Sequence, residues 1–234
     1  MEKLVLTTRT VVRATPRTRL LTLALNNDSF AFTAGQAVYA GLADGSVRRP
    51  YSIASSPIAT LEAGALQLLV QIDDHSAPDP HLERVTAGTR VSVEGPFGSF
   101  GLPLPVSEPH VMFVAGGTGI APLRSMLGEL LARQPDLRPT LLYSARSGQE
   151  FAFREELEAM ADSGRLDLQL TVTRDRESTW SGMRGRFEGR HLRSALKTAD
   201  TRCLVCGPPG LVTDTVAFLK AAGVAEERIG WEAF

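Results

Sequence analysis

Cysteine is nearly missing from this chain of 234 residues: there are two, Cys203 and Cys206. Two thiols cannot supply the four thiolates of a plant-type iron–sulfur cluster, so a cluster of that kind is excluded. Their spacing imitates a CxxC redox or zinc motif, but they fall in the apolar run CLVC, which reads as a buried strand. Side chains three apart on a strand face opposite sides, so neither a shared disulfide nor a shared metal is expected. The four histidines, at 75, 81, 110 and 191, lack metal-ligand spacing, and no metal site is expected. Long apolar runs are missing as well: none approaches the roughly 20 residues that cross a bilayer. The N-terminal MEKLVLTTRTVV has neither an apolar signal core nor a small-residue cleavage pattern, so a cytoplasmic address is expected. Net charge is also nearly absent, at −1, which leaves no electrostatic argument for nucleic acid or an anionic membrane surface.

What remains is an ordinary globular composition, 43% hydrophobic and 22% charged, on a chain long enough for two modest cores. The first hundred residues read as short extended segments: LVLTTRTVVRAT, RLLTLALN, FTAGQAVYAGL, RRPYSIASS, LQLLVQID and RVSVEGPF. They are separated by turn formers such as NND, ADGS, EAG and APDP, the pattern of an antiparallel sandwich or barrel. Beyond the proline-bearing GLPLPVSEPH the pattern changes. VMFVA is continuously apolar, and Leu123, Met126, Leu127, Leu130 and Leu131 then fall on one face of a helix. TLLYSA, FREELEAMA, LDLQLTVTR, RHLRSALK, CLVCG and GLVTDTVAFLKAAG continue the alternation of strand and helix. Alternating β and α implies a parallel sheet with helices on both faces. The expected architecture is a β-barrel domain over residues 1–103 and a doubly wound α/β nucleotide-binding domain over 108–234.

Four short motifs carry chemistry. Arg49-Pro50-Tyr51-Ser52 offers a phosphate fork, a flat ring and a short hydroxyl donor, although alone it is an ordinary strand start. Gly95-Pro96-Phe97-Gly98-Ser99-Phe100 reads as a turn closing the barrel. Ala115-Gly116-Gly117-Thr118-Gly119-Ile120-Ala121-Pro122 lies between a buried strand and an amphipathic helix, where glycines admit a ligand and the helix start presents N–H groups to a pyrophosphate. It departs from GxGxxG, because Pro122 stands at the third glycine. Cys206-Gly207-Pro208-Pro209-Gly210 again joins a strand to a helix, so both loops open at the carboxyl ends of the parallel strands.

In this order, and with the terminal Trp231-Glu232-Ala233-Phe234, these motifs resemble the ferredoxin–NADP reductase superfamily along essentially the whole chain. The likeness is strongest to the flavin and nicotinamide modules of oxygenase reductases and bacterial ferredoxin reductases. It implies a Greek-key barrel that binds FAD, with FMN as the alternative. Arg49 with Pro50 would hold the flavin phosphates, Tyr51 would pack on the isoalloxazine, and Ser52 would reach toward its N5. Val70, Gln71 and Ile72 would run along the flavin through their backbone, with Ser76 and Phe234 also in the flavin set. Relatives place a glycine–x–x–serine sequence before a helix that takes the flavin phosphate. Here Asp79 stands in place of that serine, within residues 75–82.

The second half would bind NADPH, with NADH as the alternative. The resemblance assigns Gly116, Gly117 and Thr118 to the nicotinamide side and brings Cys206, flanked by Gly207 and Pro208, to the nicotinamide ring. Thr173-Arg174 nearly matches the serine–arginine pair that grips a 2′-phosphate in relatives, with Arg146 as an added contact. The competing reading of residues 174–193 is a solvated surface of mixed charge. Ser52, Cys206 and Glu232 form the implied catalytic set, and Glu232 is alternatively a solvated terminal residue. The implied activity is an NAD(P)H-dependent flavoprotein reductase passing electrons to a separate ferredoxin, flavodoxin or oxygenase component. Two other readings stand beside it: a free-flavin or ferric reductase, and an electron-transfer subunit of a larger complex without turnover of its own.

Overall fold

The computed structural model describes residues 2–26, 30–72, 82–175 and 180–234. Six strands, β1 (Glu2–Thr15), β2 (Thr18–Ala24), β3 (Ala37–Leu42), β4 (Arg49–Ser52), β5 (Ala65–Gln71) and β6 (Arg90–Phe97), form an antiparallel sheet ordered β4-β3-β6-β1-β2-β5. The sheet curls until its edges meet, with Ile53 bridging Leu68 and Ala54 N–H donating to Gln67 O at 2.9 Å. Period-2 alternation fills the interior: Leu21 and Leu23 of β2, Leu66, Leu68 and Val70 of β5, and Val91 and Val93 of β6 share one buried core. β6 returns to lie between β1 and β3, which gives the Greek-key connection.

A helix, α1 (Pro57–Ala63), lies between β4 and β5, where the sequence reading had only extended chain and turns. Its signals are local. The Ser56 side chain accepts from Ala59 N–H at 3.1 Å, Pro57 opens the first turn, and Gly64 at φ +57° ends the helix in the left-handed region.

The second half contains β7 (His110–Gly116), α2 (Ile120–Arg133), β8 (Thr140–Ala145), α3 (Arg154–Asp162), β9 (Asp167–Val172), β10 (Met183–Arg184), α4 (Gly189–Ala195), β11 (Thr201–Gly207), α5 (Pro209–Ala221) and β12 (Ile229–Ala233). All six strands are parallel, in the order β10-β9-β8-β7-β11-β12. Every residue of β7 is buried. Val111, Phe113 and Ala115 face a core with α2 and α3, whereas Met112 and Val114 face a second core with α4 and α5. The sheet is therefore covered on both sides, as its unbroken apolar run requires. The first of these cores also takes in Ala34, Ala54, Leu69 and Phe100 of the barrel half, packed with Leu123, Met126 and Leu127 of α2. No described helix is long and apolar enough to cross a membrane.

Candidate functional site

Where the halves meet there is a cavity of about 610 Å³. Thr15, Arg17, Thr18, Leu69 and Gln71 line it from the barrel, and the carboxyl ends of β7, β8, β9 and β11 line it from the parallel sheet. Its position is the crevice in which open parallel sheets bind ligands, and its volume is that of a small-molecule site.

The glycines of the two loops make the floor. A methyl group on Gly119 would sit 2.3 Å from Cys206 O, and one on Gly207 would sit 3.0 Å from Gly116 Cα. The β7–α2 and β11–α5 loops therefore touch through backbone, with no room for a side chain between them. Gly117 is different: at φ +54° it has open space at its Cα and lines the cavity. Its carbonyl accepts from Tyr143 Oη at 3.1 Å, and Tyr143 Oη in turn accepts from Ala152 N–H at 3.2 Å. Complete burial pushes the Tyr143 hydroxyl well above its ordinary range, so it remains a neutral donor fixing the loop.

Cys206 and Glu232 are paired in register across β11 and β12. Burial first, and the neighbouring Glu232 charge second, push the Cys206 thiol far above its ordinary value. Burial also raises Glu232. At neutral pH the buried Cys206 thiol is thus uncharged, on the strand next to the one that carries Glu232. Cys203 points into the opposite core, and burial pushes it up to about 12. The two cysteines are free and lie on opposite faces of the sheet, as the strand reading of CLVC requires.

Of the residues singled out from sequence, Gln71, Gly116, Gly117, Thr118, Arg146, Thr173, Arg174, Pro208 and Phe234 surround this cavity. Thr173 is held by its hydroxyl on Ala145 O at 3.2 Å, and Phe234 by its N–H on Gly207 O at 3.4 Å. Gly207 and Cys206 lie just behind the lining. Arg49, Pro50, Tyr51 and Ser52 form β4, outside the cavity, with Arg49, Tyr51 and Ser52 half-buried and Pro50 exposed. No hydrogen bond among the described residues links Ser52 to Cys206 or Glu232. The Val70 side chain is wholly inside the barrel core, so only its backbone can meet a ligand. Ile72 N–H donates to Arg17 O at 2.9 Å, tying that strand end to the β1–β2 hairpin. Ser76 and Asp79 lie outside the described residues.

The structure adds lining residues that motif reading missed: Thr15, Arg17 and Thr18 of the hairpin, Arg186, Asp214 and Thr215. None belongs to a short motif. Tyr143, a phenol hydroxyl in the middle of a fully buried strand, was the one detectable signal. The donor set suits a phosphorylated dinucleotide: Arg146, Arg174 and Arg186 ring a crevice whose floor is glycine backbone at a helix start.

Comparison with known proteins agrees with this chemistry. The family model described as Oxidoreductase FAD-binding domain matches residues 3–101, and the one described as Oxidoreductase NAD-binding domain matches residues 113–217. The chain is 34% identical over 194 residues to Ferredoxin--NADP reductase B of Sorangium cellulosum, covering 79% of this chain and 78% of that protein. It is 29% identical over 202 residues to a subunit of the Na(+)-translocating NADH-quinone reductase of Idiomarina loihiensis, covering 80% of this chain. It spans about half of that relative's length, 48%. Among solved structures, the cytochrome P450 reductase GcoB of Amycolatopsis superimposes with a TM-score of 0.85 at 25% identity, over 100% of this chain and 70% of that one. The ferredoxin NADP+ reductase of Neisseria gonorrhoeae with bound FAD and NADP shares the fold, with a TM-score of 0.81 at 23% identity over 100% and 99% of the two chains. The chain belongs to the ferredoxin–NADP reductase family and is an NAD(P)H-dependent flavoprotein oxidoreductase with an FAD-binding and an NAD-binding domain.

Proposed function

We propose that this protein takes reducing equivalents from NADPH onto FAD and delivers them to a separate acceptor, such as a ferredoxin or an oxygenase component. The observation that carries this reading is the cavity lined from both halves, with four arginines, Arg17, Arg146, Arg174 and Arg186, in its lining. A flavin, when bound, supplies the electron chemistry, and the protein supplies distance, orientation and electrostatics. In this reading residues 1–103 form the flavin domain, where Arg49 neutralises phosphate and Tyr51 and Ser52 face the ring. Residues 108–234 form the nucleotide domain, where Thr173, Arg174 and Arg146 grip the 2′-phosphate and Gly116 to Thr118 admit the pyrophosphate and nicotinamide. Cys206 fills the space beside the nicotinamide without charge, and Glu232 holds a proton near it.

The likeness to one subunit of a Na(+)-translocating NADH-quinone reductase supports a second reading, an electron-transfer part of a larger complex. One experiment separates these. The purified chain is loaded with FAD, titrated anaerobically with NADPH and with NADH, and then assayed with ferredoxin and with free FMN. Rapid bleaching of the flavin band by NADPH, with electrons passing to ferredoxin, is the expected result. Bleaching only when another protein is added favours the larger-complex reading, and turnover with free FMN alone favours a flavin reductase. Absence of a flavin band after loading with FAD or FMN refutes all three.

A further inference from the structure

α2 starts at the Gly117–Gly119 turn, so whatever fixes this helix also fixes the glycine loop of the cavity. Beyond the shared apolar core, its polar contacts on the barrel fall mainly on the segment from Ala54 to Ile58, which begins two residues after Ser52, the last residue of β4. Three polar side chains of α2 hold that segment. Arg124 Nη1 donates to Ala54 O at 2.7 Å and to Gln67 Oε1 of β5 at 3.0 Å. Ser125 Oγ donates to Ser55 O at 2.7 Å, and Glu129 Oε2 accepts from Ile58 N–H at 3.2 Å. Arg124 is itself clamped from the far side. Its Nε and Nη2 donate to the Glu156 carboxylate of α3 at 2.9 and 2.8 Å, and its guanidinium stands 4.3 Å from the centre of the Phe153 ring. The Arg124 side chain is 18% exposed.

We infer that Arg124 is a positioning residue for hydride transfer, setting the separation and tilt of the nicotinamide site against the flavin site. The inference rests on the proposed FAD and NADPH reading. Ala54 lies two residues from Ser52, and Arg124 lies five residues from Gly119, so one guanidinium joins both cofactor-bearing segments. The shared apolar core holds the halves together, but apolar contact is non-directional. The fork of Arg124 supplies direction, because its three nitrogens engage β5, the segment after β4 and α3 at once. A slip at this joint moves the two rings relative to each other, and transfer falls steeply with misplacement of reacting atoms.

The test uses the full chain loaded with FAD, as wild type and as Arg124→Ala, Arg124→Lys and Glu156→Gln. Flavin content, NADPH dissociation constant and the limiting rate of flavin bleaching at saturating NADPH are measured separately. Arg124→Ala is expected to keep flavin and to bind NADPH within about twofold of wild type, while the limiting rate falls by about ten- to a hundredfold. Arg124→Lys and Glu156→Gln are expected to fall in between. Loss of stability alone would lower flavin content without slowing the flavin-loaded fraction, so an unchanged limiting rate in the loaded variants overturns the inference. Should Arg124→Ala not fold, the limiting rates of Arg124→Lys and Glu156→Gln decide the matter in the same way. A wild-type flavin that neither nucleotide bleaches removes the underlying functional reading, and the inference with it.

Discussion

A single methyl group at Gly119 tests whether the two loops of the cavity interlock as described. The residue has an ordinary helical φ of −60°, so alanine there brings no backbone strain of its own. The obstacle is space: the added Cβ would meet Cys206 O at 2.3 Å, Cys206 C at 2.5 Å and Gly207 N at 2.9 Å. These are backbone atoms and cannot swing aside. With real Cβ contacts essentially never under 3.0 Å, the β7–α2 and β11–α5 loops must part by at least about 0.7 Å. Overpacking of this kind costs about 1–3 kcal/mol. For a chain of this size that lowers the melting temperature by roughly 2–12 °C. The shift also lifts Cys206 and Gly207 relative to Gly116, so NADPH binding should weaken alongside stability. Gly210, near the start of α5, has nothing within 4 Å of its would-be Cβ and serves as the control for stability; because it lines the cavity, NADPH binding is compared with wild type instead. Gly210→Ala should be neutral or stabilising by up to about 1 kcal/mol. Thermal unfolding of the flavin-loaded protein and an NADPH titration read both effects. If Gly119→Ala melted within about 1 °C of Gly210→Ala and bound NADPH as well as wild type, the close approach of the loops would be refuted.

Arg174→Ala should weaken NADPH and spare NADH, because a guanidinium on the 2′-phosphate has nothing to hold in NADH; equal losses for both in paired titrations would remove it as a phosphate ligand. Cys206→Ala should retain flavin yet slow its bleaching at saturating nucleotide, as measured by stopped-flow absorbance, whereas an unchanged rate would leave the thiol a packing group. His110 is held between Thr201 Oγ1 at 3.2 Å and Thr140 Oγ1 at 3.0 Å, and burial, aided by nearby Lys197 and opposed by Asp167, lowers it to about 4. A depressed folded value means that its contribution is present above the ordinary histidine range and is lost as pH falls from 6.5 to about 4, at most about 3 kcal/mol. Urea unfolding at pH 7 and pH 4.5 should show this fall in the wild type and a flatter response in His110→Gln; parallel falls would refute it.

The order of strands and helices in the second half was legible because its pattern is dictated by burial on two faces. VMFVA has no polar alternate, and that is what a strand between two helical layers must look like. α1 was missed although Ser56, Pro57 and Gly64 spell its start and stop, because seven residues are too few for helical periodicity to show. β10 is two residues long, and β12 was read only as the terminal motif: neither carries a pattern of its own, and both form by adding to a sheet already built. At the site, the glycine loops and Arg174 could be found because they sit at strand ends within a motif. Arg17, Arg186 and Asp214 could not, since the chain brings them to the cavity only after folding. Arg124 drew no notice in the sequence, since nothing local says that its partners lie at residues 54, 67 and 156.

The apolar interior that Ala34, Ala54, Leu69 and Phe100 share with α2 bears on protein engineering. A hybrid reductase made by cutting at the proline-bearing connection and importing a foreign second half would set an unfamiliar helix against these four side chains. Any mismatch of shape would be transmitted to the cofactors, because the same helix leads out of the glycine turn. Grafts that alter nucleotide choice are better confined to β8, β9 and β10, on one side of β7, with their loops, leaving the joint in its native company.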